Sequence, residues 1–590
     1  MDAADILKRA REYSAQEKDV QFRTEVEALI AQNDIQELED RFYQTLEFGT
    51  GGLRGIMGGG TNRMNTLVIK RATQGLANYL IKTFPEKARD GALSAVVAYD
   101  SRKNSDVFAE ATACIFAANG IKTYLFSAVR PTPELSFAIR RLHADTGVIV
   151  TASHNPRTYN GYKAYWNNGA QVIEPHDAGI IREVNAVSAI TELSRDEAIQ
   201  SGRLVLIDRE IDEPFWALCT AQLFRPELIT ARAQEVSIVY TPLHGTGALH
   251  VEKVLGDLGL NVLTVPEQRQ PDGNFPTLER PNPEEADALT MAIALGEKEH
   301  ADCVMATDPD ADRFGSAFPG PDGKFVLISG NQMGALLLEY VLLSRTELGT
   351  MPERPVVIRS VVTSPFADAI AARYGARLVE CLTGFKWIAV AQESAEAAGE
   401  HYVFGYEESY GYKVERDVFD KDGISAAALC VEMTLYWRSR GKSLLEHLDD
   451  LYSEYGYYED RAISQNFPGS SGVETMKGIM TRLRNDGLKT LGGKRVVMIR
   501  DIERGVSFDP VNPSATTALS LPKSNVLQFF LEGGTVVSAR PSGTEPKIKF
   551  YINSVVPVQE RAALGGAKTA AAELCDAIAT EIQATLQAAK

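Results

Sequence analysis

Between residues 94 and 404 the chain repeats one pattern three times: strand, helix, strand, helix, strand, with the last strand entering an unusual polar loop. In the first round β-favouring runs at 94–99, 121–126 and 148–151 alternate with helical stretches at 105–119, stopped by Gly120, and at 133–142. The second round has strands at 236–240, 261–265 and 302–306. A glycine-rich turn, H-G-T-G at 244–247, opens its first helix, which runs to about Gly259, and its second helix lies near 285–297. The third has strands at 355–362, 377–381 and 401–404 with helices at 364–374 and 385–397. Such alternation requires right-handed crossovers and predicts an α/β fold built on largely parallel sheets.

The 590 residues are too many for one core, which predicts three to five domains. The boundaries expected are an N-terminal helical extension over 1–45, then domains at 46–228, 229–347, 348–455 and 456–590. In the extension, Ile35, Leu38 and Phe42 share a helical face behind Asn33 and Asp34, and a pair of helices packed on the first domain is expected. After about residue 455 the character changes. Strands at 495–500, 534–539 and 547–552 and an alanine-rich helix from about Gln559 predict a smaller α+β domain.

Composition excludes several function classes. The net charge of −17 speaks against a nucleic-acid partner or an anionic membrane, while leaving room for a local basic cleft around a phosphorylated ligand. Six cysteines (Cys114, Cys219, Cys303, Cys381, Cys430, Cys575) are far apart, with no C-x-x-C, so reduced thiols and a cytoplasmic location are expected. The acidic N-terminus has no following apolar segment, and no apolar run approaches the ~18 residues of a membrane span.

Four loops carry the chemistry. The first is T-A-S-H-N-P at 151–156, where Ser153 follows a buried strand, the position at which α/β proteins place their ligands. The second is D-P-D-A-D-R at 308–313. Asp308, Asp310 and Asp312 alternate, so an extended backbone would turn all three carboxylates to one side. Clustered carboxylates repel one another unless a cation sits among them, and an all-oxygen set suits Mg²⁺. An EF-hand would need glycine and glutamate where Arg313 and Pro319 stand, and a haloacid-dehalogenase-type D-x-D-x-[TV] fails at Asp312. A solvated acidic turn is the alternative. The third loop, G-Y-E-E-S-Y-G at 405–411, offers carboxylates and a hydroxyl to vicinal sugar hydroxyls; taken alone, such a stretch is more often an ordinary acidic turn. The fourth, R-P-S-G-T-E-P at 540–546, joins a guanidinium, two hydroxyls and a glycine, which suits a phosphate dianion, although a polar β-turn has the same letters. G-T-G-G-L-R-G at 49–55 misses the dinucleotide fingerprint at Arg54 and follows a helix. P-loop, zincin and α/β-hydrolase motifs are missing.

In this order and combination the four loops resemble those of the α-D-phosphohexomutase superfamily, over roughly residue 46 to the end. The E-E-S loop, the long N-terminal extension and G-T-G-G-L-R-G look like the phosphoglucomutase subgroup, which includes phosphopentomutase-type enzymes. The resemblance implies three related α/β domains and a C-terminal α+β domain, arranged as a heart around a cleft. It implies that Ser153 is a phosphoserine in the active enzyme and that its phosphate, with Asp308, Asp310 and Asp312, holds Mg²⁺. Arg313 would contact the phosphoryl group near the metal, and Arg54 would orient the phosphoserine beside His154. Glu407 and Ser409 would grip sugar hydroxyls, and Arg540, Ser542, Gly543 and Thr544 would hold the non-reacting phosphate. Lys163 and Lys421 both match lysines assigned as general acid/base. Gly411 stands where bifunctional phosphomannomutases carry histidine, and Arg157-Thr158 replaces a glycine pair, so the choice of sugar and of proton donor stays open. The activity implied is interconversion of glucose 1-phosphate and glucose 6-phosphate, with glucose 1,6-bisphosphate as activator and intermediate. Ribose or mannose 1-phosphate and a non-catalytic sugar-phosphate binder are the alternatives. The partner is a small sugar phosphate, not nucleic acid or membrane, and the assembly expected is a monomer or weak homo-oligomer.

Overall fold

A computed structural model of the chain describes residues 2–49, 51–414, 416–467, 470–542 and 547–587. They form two compact units. The first takes the chain to Ile328 together with Tyr410–Leu435, and the second takes Ser329–Ser409 together with Tyr436 onward.

The first unit opens with three helices, Ala3–Gln16, Val20–Gln32 and Ile35–Phe42, where two were expected. The extra one comes from a break at 17–19. Asp2, Asp19 and Asp34 each accept a backbone N–H at a helix start, so three short helices are capped rather than two long ones continued. Ile6, Tyr13, Val26, Leu38 and Phe42 close a small core among them.

Two sheets follow. In the first, Ser94–Tyr99 lies between Lys122–Phe126 and Thr146–Val150, all parallel, with Leu204–Ile207 parallel at one edge. Thr146–Val150 is buried along its whole length, which fits its continuous apolar run. In the second, Ile238–Thr241 lies parallel to Val262–Thr264 and Cys303–Thr307.

The sheets are less parallel than the sequence pattern predicts. The strand before the serine loop turns back as Tyr159–Trp166, antiparallel both to Thr146–Val150 and to Gly52–Ile56. The strand before the aspartate loop likewise turns back as Phe314–Pro319, followed by antiparallel Phe325–Ile328. Both loops are therefore hairpin connections, which hold their ends one strand spacing apart.

In the second unit Pro355–Ser360 runs parallel between Arg377–Cys381 and His401–Glu407. The C-terminal part is an antiparallel sheet in the order Tyr457–Asn466, Lys547–Val556, Val536–Pro541, Leu527–Leu531, Lys494–Asp501, Val506–Asp509, Asn512–Ala518. Ser470–Asp486 and Leu564–Gln587 pack against it through Ile479, Met480, Cys575, Ile578 and Ile582. The α+β character stands, with more strands than the three expected. All six cysteines are buried as thiols. No helix among the described residues is long and apolar enough to cross a membrane.

One half-buried acid in this sheet sets a pH dependence. Asp460 lies opposite Asn553, whose amide donates to it at 2.7 Å. Burial pushes its carboxyl up to about 6 against that hydrogen bond, and Glu459 and Glu408 add to the push. A raised carboxyl pKa means the folded chain holds a proton that the unfolded chain has released, so this term makes stability fall as pH rises from about 4 to 6. Asp460→Asn keeps the acceptor and loses the charge. The variant is expected to gain about 1–2 kcal/mol over the parent at pH 7 and nothing at pH 4. Urea melts at the two pH values check this; an equal or lower midpoint at pH 7 contradicts it.

Candidate active site

The serine loop begins with a strained residue. Ser153 has φ 51°, in the left-handed region that a non-glycine residue adopts only when its surroundings hold it there. Its N–H donates to Thr151 Oγ1 at 2.8 Å, and the Thr151 hydroxyl donates to Asp100 Oδ2 at 2.6 Å. Arg102 closes the loop from behind. Its guanidinium donates to the carbonyl oxygens of Ser153 (2.6 Å), Asn155, Pro156 (3.0 Å) and Tyr159 (3.0 Å). Asp100 sits 3.4 Å from Arg102 Nε, and the guanidinium lies 5.1 Å from the Phe275 ring centroid. One buried ion pair thus fixes four carbonyls of one loop.

So held, Ser153 Oγ donates to Asp308 Oδ2 at 2.6 Å and lies 3.2 Å from His154 Nδ1. The aspartate loop is not extended, which corrects the sequence expectation. Ala311 N–H donates to the Asp308 carbonyl at 2.9 Å, and Ala311 has φ 49°, so a tight turn gathers the carboxylates. Two glycines back this turn. A Cβ on Gly245 would fall 2.4 Å from Pro309 Cα, and one on Gly423 2.8 Å from the carbonyls of Ala311 and Arg313.

Asp308, Asp310 and Asp312 are buried, with oxygens within 4.8 Å of one another. Their charges are only partly answered. Lys163 Nζ donates to Asp310 Oδ2 at 2.7 Å and to Asp312 Oδ2 at 3.4 Å, and Lys421 Nζ lies 2.9 Å from Asp312 Oδ2. Burial opposes the Lys163 charge, but Asp310 and Asp312 more than offset it, so its ammonium is held above its usual range. Burial and the two neighbouring carboxylates push Asp308 well up. Asp310 is lowered, because Lys163 and Thr132 outweigh its burial. Among the described residues the Oδ1 atoms of Asp310 and Asp312 are buried without a hydrogen-bond partner. Unsatisfied, mutually repelling carboxylate oxygens at this spacing fit a small hard divalent cation such as Mg²⁺.

The other expected residues fall as follows. Arg313 pairs with Glu284, and its Nε lies 4.0 Å from Asp308 Oδ2. Arg54 reaches the serine loop through Asn155 Oδ1 at 3.4 Å. In the second unit Glu407 is buried and accepts the Gly384 N–H, and Ser409 follows the strand His401–Glu407. Arg540 ends on the strand Val536–Pro541; with Lys549 it restrains the upward push of burial on Glu408. Ser542 N–H donates to the Lys547 carbonyl at 2.7 Å. Gly543 and Thr544 lie outside the described residues.

Sequence reading missed Asp100, Arg102, Thr132, Glu284 and Asp420. Asp100 and Arg102 sit just past the end of the strand Ser94–Tyr99, the placement that singled out Ser153. Asp420 lies beside Lys421 and accepts the Tyr165 hydroxyl at 2.6 Å.

The comparisons with known proteins agree with this geometry. Residues 45–190, 219–320 and 329–455 match the phosphoglucomutase/phosphomannomutase alpha/beta/alpha domains I, II and III. Over 555 residues the chain is 36% identical to a phosphopentomutase of Homo sapiens, covering 90% of this chain and 88% of that protein. It is 34% identical over 519 residues to a phosphoglucomutase of Staphylococcus haemolyticus, covering 87% and 91%. Its fold matches the open form of the Paramecium phosphoglucomutase parafusin, with a TM-score of 0.66 at 19% identity, covering 93% of this chain and 95% of that one. The chain is a mutase, an enzyme of the isomerase class. It belongs to the phosphoglucomutase/phosphomannomutase family of the α-D-phosphohexomutase superfamily.

Proposed function

We propose that the chain interconverts glucose 1-phosphate and glucose 6-phosphate through phospho-Ser153 and glucose 1,6-bisphosphate. The observation that carries this reading is the contact of Ser153 Oγ with Asp308, beside two further carboxylates and two lysines. The free sugar hydroxyl attacks the phosphorus of phospho-Ser153. The new sugar O–P bond forms as the Ser153 Oγ–P bond breaks, and a lysine takes the hydroxyl proton. The bisphosphate then returns its other phosphate to Ser153. Asp308, Asp310, Asp312 and a phosphate oxygen on Ser153 would hold Mg²⁺, which supplies positive charge against the transferring group. Arg313, oriented by Glu284, adds a guanidinium that neutralises the same charge.

Lys163 and Lys421 are both placed for proton transfer, since each touches a triad carboxylate. Asp310 and Asp312 hold Lys163 as an ammonium, and Lys421 is paired in the same way with Asp312 and Asp420, so either lysine can serve as the proton carrier. From the family resemblance, Glu407 and Ser409 take sugar hydroxyls, and Arg540, Ser542, Gly543 and Thr544 take the non-reacting phosphate.

A pentose substrate is the second reading, favoured by the human phosphopentomutase at 36% identity. Purified protein with Mg²⁺ and a trace of glucose 1,6-bisphosphate is offered the 1-phosphates of glucose, mannose and ribose separately. Glucose is expected to lead in kcat/KM. A lead by ribose moves the assignment to the pentose, and release of inorganic phosphate in place of an isomerised sugar overturns both readings.

A further inference from the structure

We propose that Thr132 is a positioning residue of the metal site, which aims the Asp310 carboxylate and sets the affinity for the divalent ion. The inference rests on the metal reading above. Thr132 opens the helix Thr132–Arg141 and makes two bonds to one aspartate. Its hydroxyl donates to Asp310 Oδ2 at 2.7 Å, and its N–H donates to the Asp310 carbonyl at 2.9 Å. Lys163 Nζ donates to the same Oδ2, also at 2.7 Å. Two donors fill the lone pairs of that oxygen, so the carboxylate is locked about its terminal torsion and Oδ1 is the atom left to bind an ion. Oδ1 is indeed the buried oxygen without a hydrogen-bond partner.

The hydroxyl itself is held in place. Pro131 and Pro133 flank Thr132, and their rings restrict the backbone on both sides. Arg130, two residues before Thr132, is pinned harder still. Arg130 N–H donates to the Tyr99 carbonyl at 3.0 Å, and its guanidinium grips Asp212 at 2.7 and 2.9 Å and Asp208 at 3.1 Å. Tyr99 ends the strand whose next residue, Asp100, anchors the serine loop. A single rigid stretch of the first sheet thereby fixes both Ser153 and the direction of Asp310. The distance between nucleophile and metal ligands is then set by the fold rather than by the ion. A group that orients a ligand in this way typically changes metal affinity ~10–100-fold when it is lost.

The test uses the full chain in its dephosphorylated form, titrated with Mn²⁺ while the electron paramagnetic resonance signal of free Mn²⁺ is followed. Thr132→Val keeps the shape and removes the hydroxyl, Thr132→Ala removes it with less bulk, and Thr132→Ser keeps it. The Mn²⁺ Kd is expected to rise about tenfold in the first two variants and to stay within about twofold of the parent in the third. The Mg²⁺ concentration giving half-maximal turnover is expected to move in the same order. Unchanged Kd in the valine and alanine variants overturns the proposal, as does a serine variant that binds as poorly as they do. A parent protein that takes up no Mn²⁺ overturns the metal reading itself, a different result from the first.

Discussion

Ser153→Ala is expected to cut turnover of glucose 1-phosphate by roughly 10⁴-fold or more, with no change in melting temperature beyond a few degrees. The large kinetic effect follows from the chemistry. In the proposed mechanism Ser153 Oγ is the acceptor of the phosphoryl group, and without it the covalent step has no substitute among the neighbours. His154 Nδ1 lies close by, but Thr151, Asp100 and Arg102 are built around the serine backbone, not around the imidazole. The small stability effect follows from electrostatics. The Ser153 hydroxyl makes one hydrogen bond to Asp308, a carboxyl already pushed up by burial and by its two acidic neighbours. Losing that bond costs about 1 kcal/mol in such a setting. Coupled assay of kcat and a thermal melt on the same preparation check both halves. Residual turnover within tenfold of the parent would mean that the phosphoryl group is carried elsewhere.

The second large effect is expected at a residue that acts from behind the serine loop. Arg102→Met removes a buried guanidinium that holds four carbonyls and answers Asp100. Breaking a buried pair from one side costs about 3–5 kcal/mol, because the remaining charge is left without its counterion. Asp100, already raised by burial, is expected to take up a proton at neutral pH in the variant. Turnover of the folded fraction is expected to fall about 100-fold, since a displacement of ~1 Å at the nucleophile costs that much. Arg102→Lys keeps the charge but not the fork, and recovers only part of either loss. Urea melts and kcat normalised to folded protein measure both. A methionine variant that is destabilised but keeps the parent kcat would show that Ser153 finds its place without the clamp.

Arg102 also marks the limit of what the sequence reveals. The strands Ser94–Tyr99 and Arg377–Cys381 and the helix Phe385–Ala397 lie where the sequence pattern places them, because each is a local segment with its own apolar residues, bounded by a turn. The returning strands Tyr159–Trp166 and Phe314–Pro319 are not legible in that way. Glycine and polar residues interrupt them, and what defines them is pairing with a neighbour. The aspartate loop was read correctly as a carboxylate cluster but for the wrong reason. A turn at Ala311 gathers the three side chains, where alternation along an extended backbone was expected. Lys163 and Lys421 were both candidates as proton carriers, and only the fold reveals that they share Asp312. Asp100, Arg102 and Thr132 work by contacts remote in sequence, so no spacing rule points to them.

The most direct test of the central claim is a single turnover with the protein labelled by ³²P on Ser153. The labelled protein is mixed with a stoichiometric amount of unlabelled glucose 1-phosphate and Mg²⁺, and the products are separated within seconds. The account predicts that the label leaves the protein, appears in glucose 1,6-bisphosphate and then partitions between sugar phosphate and protein, with no inorganic phosphate formed. Label that stays on the protein while glucose 6-phosphate accumulates, or that emerges as inorganic phosphate, would contradict it.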